Sequence, residues 1–149
     1  MGKFRLGTAS MSKLATCHPL LQDVIEEAML RTPMDFTVVQ GFRNKADQNA
    51  AVKAGKSQTP WPTSKHNHMD GPMPASLAVD VAPWWPTAPH IQWSCTEEFR
   101  WLAGFIMGVG SRIVEPKGYR LRWGGDWDQD GNHHDSKFID LPHIELVPL

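Results

Sequence analysis

The sequence predicts a single α+β domain with a small central antiparallel sheet flanked by helices. A chain of 149 residues with 41% hydrophobic content can fill one core of ordinary size. Helical and strand patterns are interspersed along the chain, which indicates a mixed fold. The connections between the strands vary too much for a regular doubly wound sheet, so α+β is favoured over α/β. We therefore expect one domain over residues 1–149, with no room for a second module.

The first half of the chain predicts two helices with a strand between them. Apolar residues recur at helical spacing after Pro19, a residue favoured in the first turn of a helix. A β-branched run stops at Gly41, as expected of a short buried strand. Asn44 resembles a helix N-cap, and Gly55 can end the helix that follows. The predicted elements are a helix over residues 19–31, a strand over 36–40 and a helix over 45–54.

A long loop and the remaining elements follow. Residues 56–76 hold four prolines among Ser, Thr and His, a composition that disfavours regular structure. Asp80 is the only charged residue in an otherwise apolar strand pattern. Ser94, with Glu97 three residues later, resembles a capping box at the start of a helix. The predicted elements are a strand over 77–82, a helix from Ser94 to the glycines Gly108 and Gly110, and strands near 120–124 and 143–147.

Composition argues against several classes of function. Fifteen Lys and Arg against sixteen Asp and Glu leave a net charge of -1, so no long-range field attracts nucleic acid or an anionic membrane. No segment has the apolar length of a signal peptide or a membrane span, which favours synthesis in a cytoplasm. Cys17 and Cys95 lack a CxxC partner, so both are expected to be plain thiols. No motif for a serine nucleophile, a P-loop or a dinucleotide occurs.

Histidines and carboxylates carry the strongest chemical signal. Two histidines and one carboxylate are a standard ligand set for catalytic zinc, which leaves the fourth tetrahedral position for water. Water in that position loses a proton near neutral pH. Taken singly, each of these residue types has an ordinary structural explanation, and only their order along the chain favours a zinc site. The segments in question are Ser64-Lys-His66, Ala78-Val-Asp80 and Asp140-Leu-Pro-His143-Ile-Glu145.

These segments resemble the S-x-H, A-x-D and D/E-x-x-H pattern of the VanY-type D-alanyl-D-alanine carboxypeptidases and the hedgehog/lysostaphin group of zinc peptidases. The resemblance is closest to the phage L-alanyl-D-glutamate endopeptidases, and it extends from LATCHPLLQDVIEEA through DFTVVQGFR and WGGDWDQDG to PHIELV. It implies a hedgehog/D-Ala-D-Ala peptidase-like fold in which His66, Asp80 and His143 bind zinc. It also implies that Asp140 is the general base and that Arg43 stabilises the oxyanion.

The resemblance implies an endolysin that hydrolyses the peptidoglycan stem peptide between L-alanine and D-glutamate to lyse the host. The residues alone do not select this bond, so a D-alanyl-D-alanine carboxypeptidase and a non-catalytic, zinc-containing wall-binding protein stay open. We expect a monomer that binds bacterial peptidoglycan, does not insert into membranes and has no separate wall-binding domain. It would be made in the host cytoplasm and reach the wall after membrane permeabilisation by another factor.

The segment between the first histidine and the aspartate departs from the family pattern. The family has a short gap there, whereas this chain has the insertion 67–77. Because the insertion is rich in Pro and Gly, we expect a surface excursion that leaves both ends in place. The insertion also introduces a rival ligand, His68. His66 is favoured because it alone has the S-x-H context.

An acidic segment copies the first half of a calcium-binding loop. Asp126, Asp128 and Asp130 alternate as calcium ligands do, and Gly131 permits the sharp turn. Lys137 replaces the bidentate glutamate of the twelfth position, although Asp135 could complete the site. The alternatives are a weak calcium site and a solvated acidic turn.

Four tryptophans are candidates for the walls of a peptide or glycan groove, because they follow or neighbour the motif segments. For the first two, a position in the core is equally consistent with the sequence. They are Trp84, Trp85, Trp123 and Trp127.

Overall fold

Four helices and six strands make up the computed structural model, which describes residues 2–149. Two single 3-10 turns, Lys65–Asn67 and Glu115–Lys117, complete the regular structure of this range. The α+β class is therefore confirmed. The helices are α1 Thr8–Leu14, α2 Pro19–Arg31, α3 Lys45–Lys53 and α4 Thr96–Val114. The strands are β1 Phe36–Gln40, β2 Met69–Asp70, β3 Met73–Pro74, β4 Ala78–Pro83, β5 Tyr119–Trp123 and β6 His143–Pro148.

The main sheet has the strand order β1-β4-β6-β5, and every neighbouring pair is antiparallel. β4 and β6 are therefore the central strands. The hydrophobic core contains side chains of α2 and α4. It also contains alternate residues of the two central strands, namely Val79, Val81, Ile144 and Leu146. Because side chains alternate along a strand, the intervening residues of β4 and β6 point to the opposite face of the sheet.

Several predicted elements have the expected bounds. α2 and β1 begin and end where the hydrophobic pattern places them. The side chain of Asn44 accepts a hydrogen bond from the backbone N–H of Asp47 (2.9 Å), so the predicted N-cap of α3 is present. Gly55 follows α3 with a φ of 75°, a conformation that glycine adopts without steric cost.

Helix α4 differs from its prediction at both ends. The capping box at Ser94 is absent, because Cys95 is the N-cap residue and its side chain makes no capping hydrogen bond. The helix also continues past Gly108 and Gly110 to Val114. A Cβ on Gly110 would lie 2.5 Å from Leu121 Cδ1 and 2.8 Å from Val24 Cγ1. This glycine therefore permits close packing of α4 on α2 and β5 and does not end the helix.

The proline-rich segment is more ordered than its composition predicts. It contains a 3-10 turn and the short β2–β3 hairpin, which lies within the insertion 67–77. The backbone N–H of Leu77 donates to the carbonyl oxygen of Lys65 (2.9 Å), so the two ends of the insertion meet. This agrees with the expected surface excursion.

Helix α1 has no counterpart among the predicted elements. None of the helices within residues 2–149 combines the length and the apolar character that a membrane span requires.

Candidate active site

Three side chains from separate parts of the chain converge on one point. Asp80 of β4 and His143 of β6 are directly paired across the central strands, and His66 lies in the 3-10 turn between α3 and the insertion. The three facing atoms are His66 Nε2, Asp80 Oδ1 and His143 Nδ1, and each pair of them is 3.2 Å apart. Both histidines are buried, and the Asp80 side chain is 14% exposed.

The outer nitrogens of both imidazoles have hydrogen-bond acceptors. His66 Nδ1 donates to the carbonyl oxygen of Gly41 (2.8 Å), and His143 Nε2 donates to Glu145 Oε1 (2.7 Å). A neutral imidazole carries one N–H, so in its neutral form each ring presents the lone pair of its inner nitrogen beside the Asp80 carboxylate. Burial lowers the pKa of His143, but its hydrogen bonds to Asp80 and Glu145 raise that pKa to about 10, so binding of a metal ion requires this ring to lose a proton.

The spacing of the inner atoms fits a divalent cation. A tetrahedral ion about 2.0–2.1 Å from each ligand separates neighbouring ligand atoms by roughly 3.3 Å. The three atoms of this site are separated by 3.2 Å. His66, Asp80 and His143 therefore form a possible metal-binding site.

Glu145 is a site residue that the sequence interpretation missed. It is 3% exposed, and its Oε2 accepts a hydrogen bond from the guanidinium of Arg122 in β5 (2.8 Å). Burial raises the pKa of Glu145, but its contacts with His143 and Arg122 lower that pKa below its ordinary value. A charged Glu145 fixes the orientation and the tautomer of the His143 ring. The spacing of His143 and Glu145 could have predicted this contact, because side chains two residues apart in a strand project from the same face of the sheet.

Asp140 lies beside the three converging atoms. Its Oδ2 is 3.9 Å from His143 Nδ1. Gly124 holds the two residues together: its carbonyl oxygen accepts from the Asp140 N–H, and its own N–H donates to the His143 carbonyl oxygen, both at 2.8 Å. A Cβ on Gly124 would overlap the carbonyl oxygen of Asp140. Only glycine therefore permits this approach of the two segments.

The two aspartates of the site differ in their affinity for protons. Burial raises the pKa of Asp80, but the neighbouring His66 and His143 hold that pKa well below its ordinary range. Burial and the negative charge of Asp80 raise the pKa of Asp140 to about 6. A carboxylate that stays ionised suits a metal ligand, whereas one that titrates near neutrality suits general acid–base chemistry.

Arg43 lies at the edge of the site in a fixed position. One of its terminal nitrogens is 3.7 Å from Asp80 Oδ2, and the other donates to Gln48 Oε1 (3.0 Å). Gln48 is fully buried and donates in turn to Ser57 Oγ and to the carbonyl oxygen of Thr59. This network, which the sequence interpretation did not include, orients a permanently charged, planar donor group.

A cleft of about 800 Å³ runs across the site and is lined by His66, His143, Asp140 and Arg43. Trp127 is the one candidate tryptophan among the described lining residues, and its ring centroid is 5.3 Å from that of His143.

The other candidate tryptophans lie elsewhere. Trp123 is 8% exposed and donates from Nε1 to the carbonyl oxygen of Leu141 (2.7 Å). The backbone N–H of Trp84 donates to the carbonyl oxygen of Asp35, next to the start of β1, whereas Asp80 pairs with Gln40 at the end of that strand. Neither Trp84 nor Trp85 is among the described residues that line the cleft.

His68 is exposed, and its Nδ1 is 2.9 Å from the carbonyl oxygen of Ala75. It is not part of the group formed by His66, Asp80 and His143.

The carboxylate oxygens of the acidic loop approach one another: those of Asp126, Asp128 and Asp130 lie within 4.8 Å. Because exposed acidic groups are common in turns, this proximity leaves both alternatives for the loop open.

The chain is similar to known proteins over nearly its whole length. The family model for the phage L-alanyl-D-glutamate peptidase matches residues 1–147. The L-alanyl-D-glutamate peptidase of Escherichia phage T5 is 34% identical over 147 residues, which cover 97% of this chain and 98% of that protein. The crystal structure of the Serratia marcescens L-Ala D-Glu endopeptidase ChiX superposes with a TM-score of 0.67 at 28% identity, over 97% of this chain and 92% of the other. This chain therefore belongs to the phage L-alanyl-D-glutamate peptidase family.

Proposed function

We propose that this protein is a zinc-dependent peptidoglycan endopeptidase that hydrolyses the bond between L-alanine and D-glutamate in the stem peptide. The observation that carries the proposal is the triangle of two imidazole nitrogens and one carboxylate oxygen, 3.2 Å on each side, at a cleft. Membership of the family supports the peptidase activity. Both relatives are L-alanyl-D-glutamate peptidases by name, which supports the choice of bond.

Zinc suits this set of ligands better than the common hard cations. Calcium and magnesium prefer sites made of oxygen atoms, whereas a site with two imidazoles and one carboxylate is typical of catalytic zinc. We propose His66, Asp80 and His143 as the ligands. When bound, zinc supplies Lewis acidity, which promotes the attack of water on a carbonyl group near neutral pH.

Asp140 and Arg43 would then perform the remaining chemistry. Asp140 Oδ2, beside His143, accepts a proton from the attacking water and passes it to the departing amine. Burial raises the pKa of Asp140 above its ordinary value, which favours both transfers. The guanidinium of Arg43, oriented by Gln48, offers planar donors to the negative charge that develops on the scissile carbonyl oxygen.

The biological role that we propose is lysis of the bacterial host. The chain would be made in the host cytoplasm, and a separate factor would have to permeabilise the membrane before the wall becomes accessible. The predictions of a monomer and of one catalytic domain over residues 1–149 belong to the same proposal.

Digestion of purified peptidoglycan distinguishes the candidate functions. The proposal predicts new amino-terminal glutamate in the digest of the zinc-loaded protein and none in that of Asp80→Ala. Release of free D-alanine would instead indicate a carboxypeptidase. Binding to the wall without any product would indicate a non-catalytic wall-binding protein.

A further inference from the structure

The lining residues that follow the two edge strands of the sheet differ in charge. Arg43, Lys56 and Lys65 come from the segment after β1, one edge strand, and we call this segment the basic wall. The loop 126–140 follows β5, the other edge strand, and contributes three aspartates and Lys137 to the lining; we term it the acidic wall. The lining aspartates are Asp128, Asp135 and Asp140.

The asymmetry is also a property of the sequence. Residues 48–69 contain three lysines and no acid, whereas residues 126–140 contain five aspartates and a single lysine, Lys137. At the rim of an open cleft, a charge interacts mainly with groups within a Debye length of about 8–10 Å. An anionic group of a bound ligand is therefore attracted to one wall and repelled by the other.

The lysines of the basic wall are available to a ligand. Arg43 already contacts Asp80 and Gln48. Neither Lys56 nor Lys65 forms an ion pair with a carboxylate in the described part of the chain.

Lys65 is the better placed of the two lysines. It is half-buried and directly precedes His66. It lies in a 3-10 turn that Ser64 and Asn67 close with a reciprocal capping box. Its backbone position beside the converging histidines is therefore fixed.

The proposed substrate carries an anion close to the bond that is cut. A glutamyl residue has two carboxyl groups, and only one of them can form the next peptide bond. The other stays free and ionised near neutral pH. In an alanyl-glutamate substrate this carboxylate belongs to the residue whose nitrogen becomes the leaving amine.

We infer that Lys65, assisted by Lys56, binds the free carboxylate of the D-glutamyl residue and so selects this residue on the leaving-group side. The acidic wall disfavours the reverse orientation of the peptide. This inference rests on the proposed function and adds a residue that determines specificity. It assigns to the basic wall a role distinct from those of Arg43 and the metal ligands.

Two synthetic stem peptides test the inference: one with the free carboxylate of the D-glutamyl residue, and one in which a carboxamide replaces it. A partly exposed ion pair contributes up to about fivefold in binding. Wild-type enzyme should cleave the carboxylate peptide with a kcat/KM about fivefold above that of the amide. Lys65→Met should remove this preference through a higher KM for the carboxylate peptide, with kcat little changed. Lys65→Arg should retain it.

Lys137→Met is the matched control, because Lys137 lines the same cleft from the acidic side. This variant should keep the wild-type preference. An equal preference in wild-type enzyme and Lys65→Met, with both peptides cleaved, would overturn the inference and leave the proposed function standing. Wild-type enzyme that cleaves neither peptide would overturn the proposed function, and the inference with it.

Discussion

Asp80 and His143 are directly opposite residues on the two central strands, and Asp80 Oδ1 lies 3.2 Å from His143 Nδ1. Side chains of directly opposite residues in an antiparallel pair project from the same face of the sheet. The register of β4 against β6 therefore brings two of the three proposed ligands together. The third, His66, is held by its own hydrogen bond to Gly41 and by that of its carbonyl oxygen with the Arg43 N–H. The site thus depends on the core of the sheet as well as on one anchored turn.

Removal of the metal should abolish activity and lower the melting temperature. A ligand that binds only the folded protein stabilises it, so the zinc-loaded form should melt at a higher temperature than the chelated form. Scanning fluorimetry and peptidoglycan turbidity, recorded before and after chelation and again after zinc is added back, measure both effects. Full activity in thoroughly chelated protein would contradict the proposed metal dependence.

Glu145→Gln should weaken zinc binding, because His143 loses its charged acceptor and Arg122 loses its partner. Loss of such a supporting group typically costs 10- to 100-fold in metal affinity, and we expect a loss of about that size. Competition with a chromogenic chelator measures the affinity. Glu27→Gln is the control, since it removes only a surface pair with Arg31 and should bind zinc like the wild type. Equal affinities in the two variants would argue against the role of Glu145.

Gly124→Ala should impair turnover more than metal binding. The added methyl group overlaps the Asp140 carbonyl oxygen and displaces the segment that carries the proposed base. A displacement of about 1 Å can cost roughly 100-fold in rate, so kcat should fall by about 10- to 100-fold. Gly108→Ala is the control, because a Cβ there meets no other atom and alanine favours the helix. Unchanged kcat in Gly124→Ala would contradict the positioning argument.

Asp140→Asn should separate catalysis from metal binding. The amide keeps the shape of the side chain but cannot accept the proton of the attacking water, so kcat should fall by about 100-fold or more. Zinc content should stay at the wild-type level, since Asp140 is not among the three converging residues. Steady-state kinetics and metal analysis of the same preparation provide both values. A variant that lost its zinc would indicate that Asp140 is a ligand.

The alternatives for the acidic loop can be separated by titrating calcium into the zinc-loaded protein. A weak calcium site predicts a saturable rise in melting temperature that magnesium does not reproduce, because magnesium demands stricter octahedral geometry. Asp128→Asn should then remove the rise. No response to calcium in either protein would identify a solvated acidic turn.

Local sequence patterns predicted the strands and helices that position the site, whereas the features that they did not predict depend on contacts between distant parts of the chain. The apolar residues on both sides of Asp80 indicated a strand. The order of the motifs along the chain predicted that Asp80 and His143 belong to the same metal site. The role of Arg122 depends on the pairing of β5 with β6, which places it opposite Glu145 and which no local pattern reveals. Gly110 was misinterpreted as a helix end for the same reason, because its close neighbours come from α2 and β5.

The zinc content of purified protein after equilibrium dialysis tests the proposed metal site most directly. We expect one zinc ion per chain in the wild type and in Asp140→Asn, and none in Asp80→Ala that retains the wild-type circular dichroism spectrum. Stoichiometric zinc in a folded Asp80→Ala variant, or a wild-type protein that binds no zinc, would contradict the proposed site.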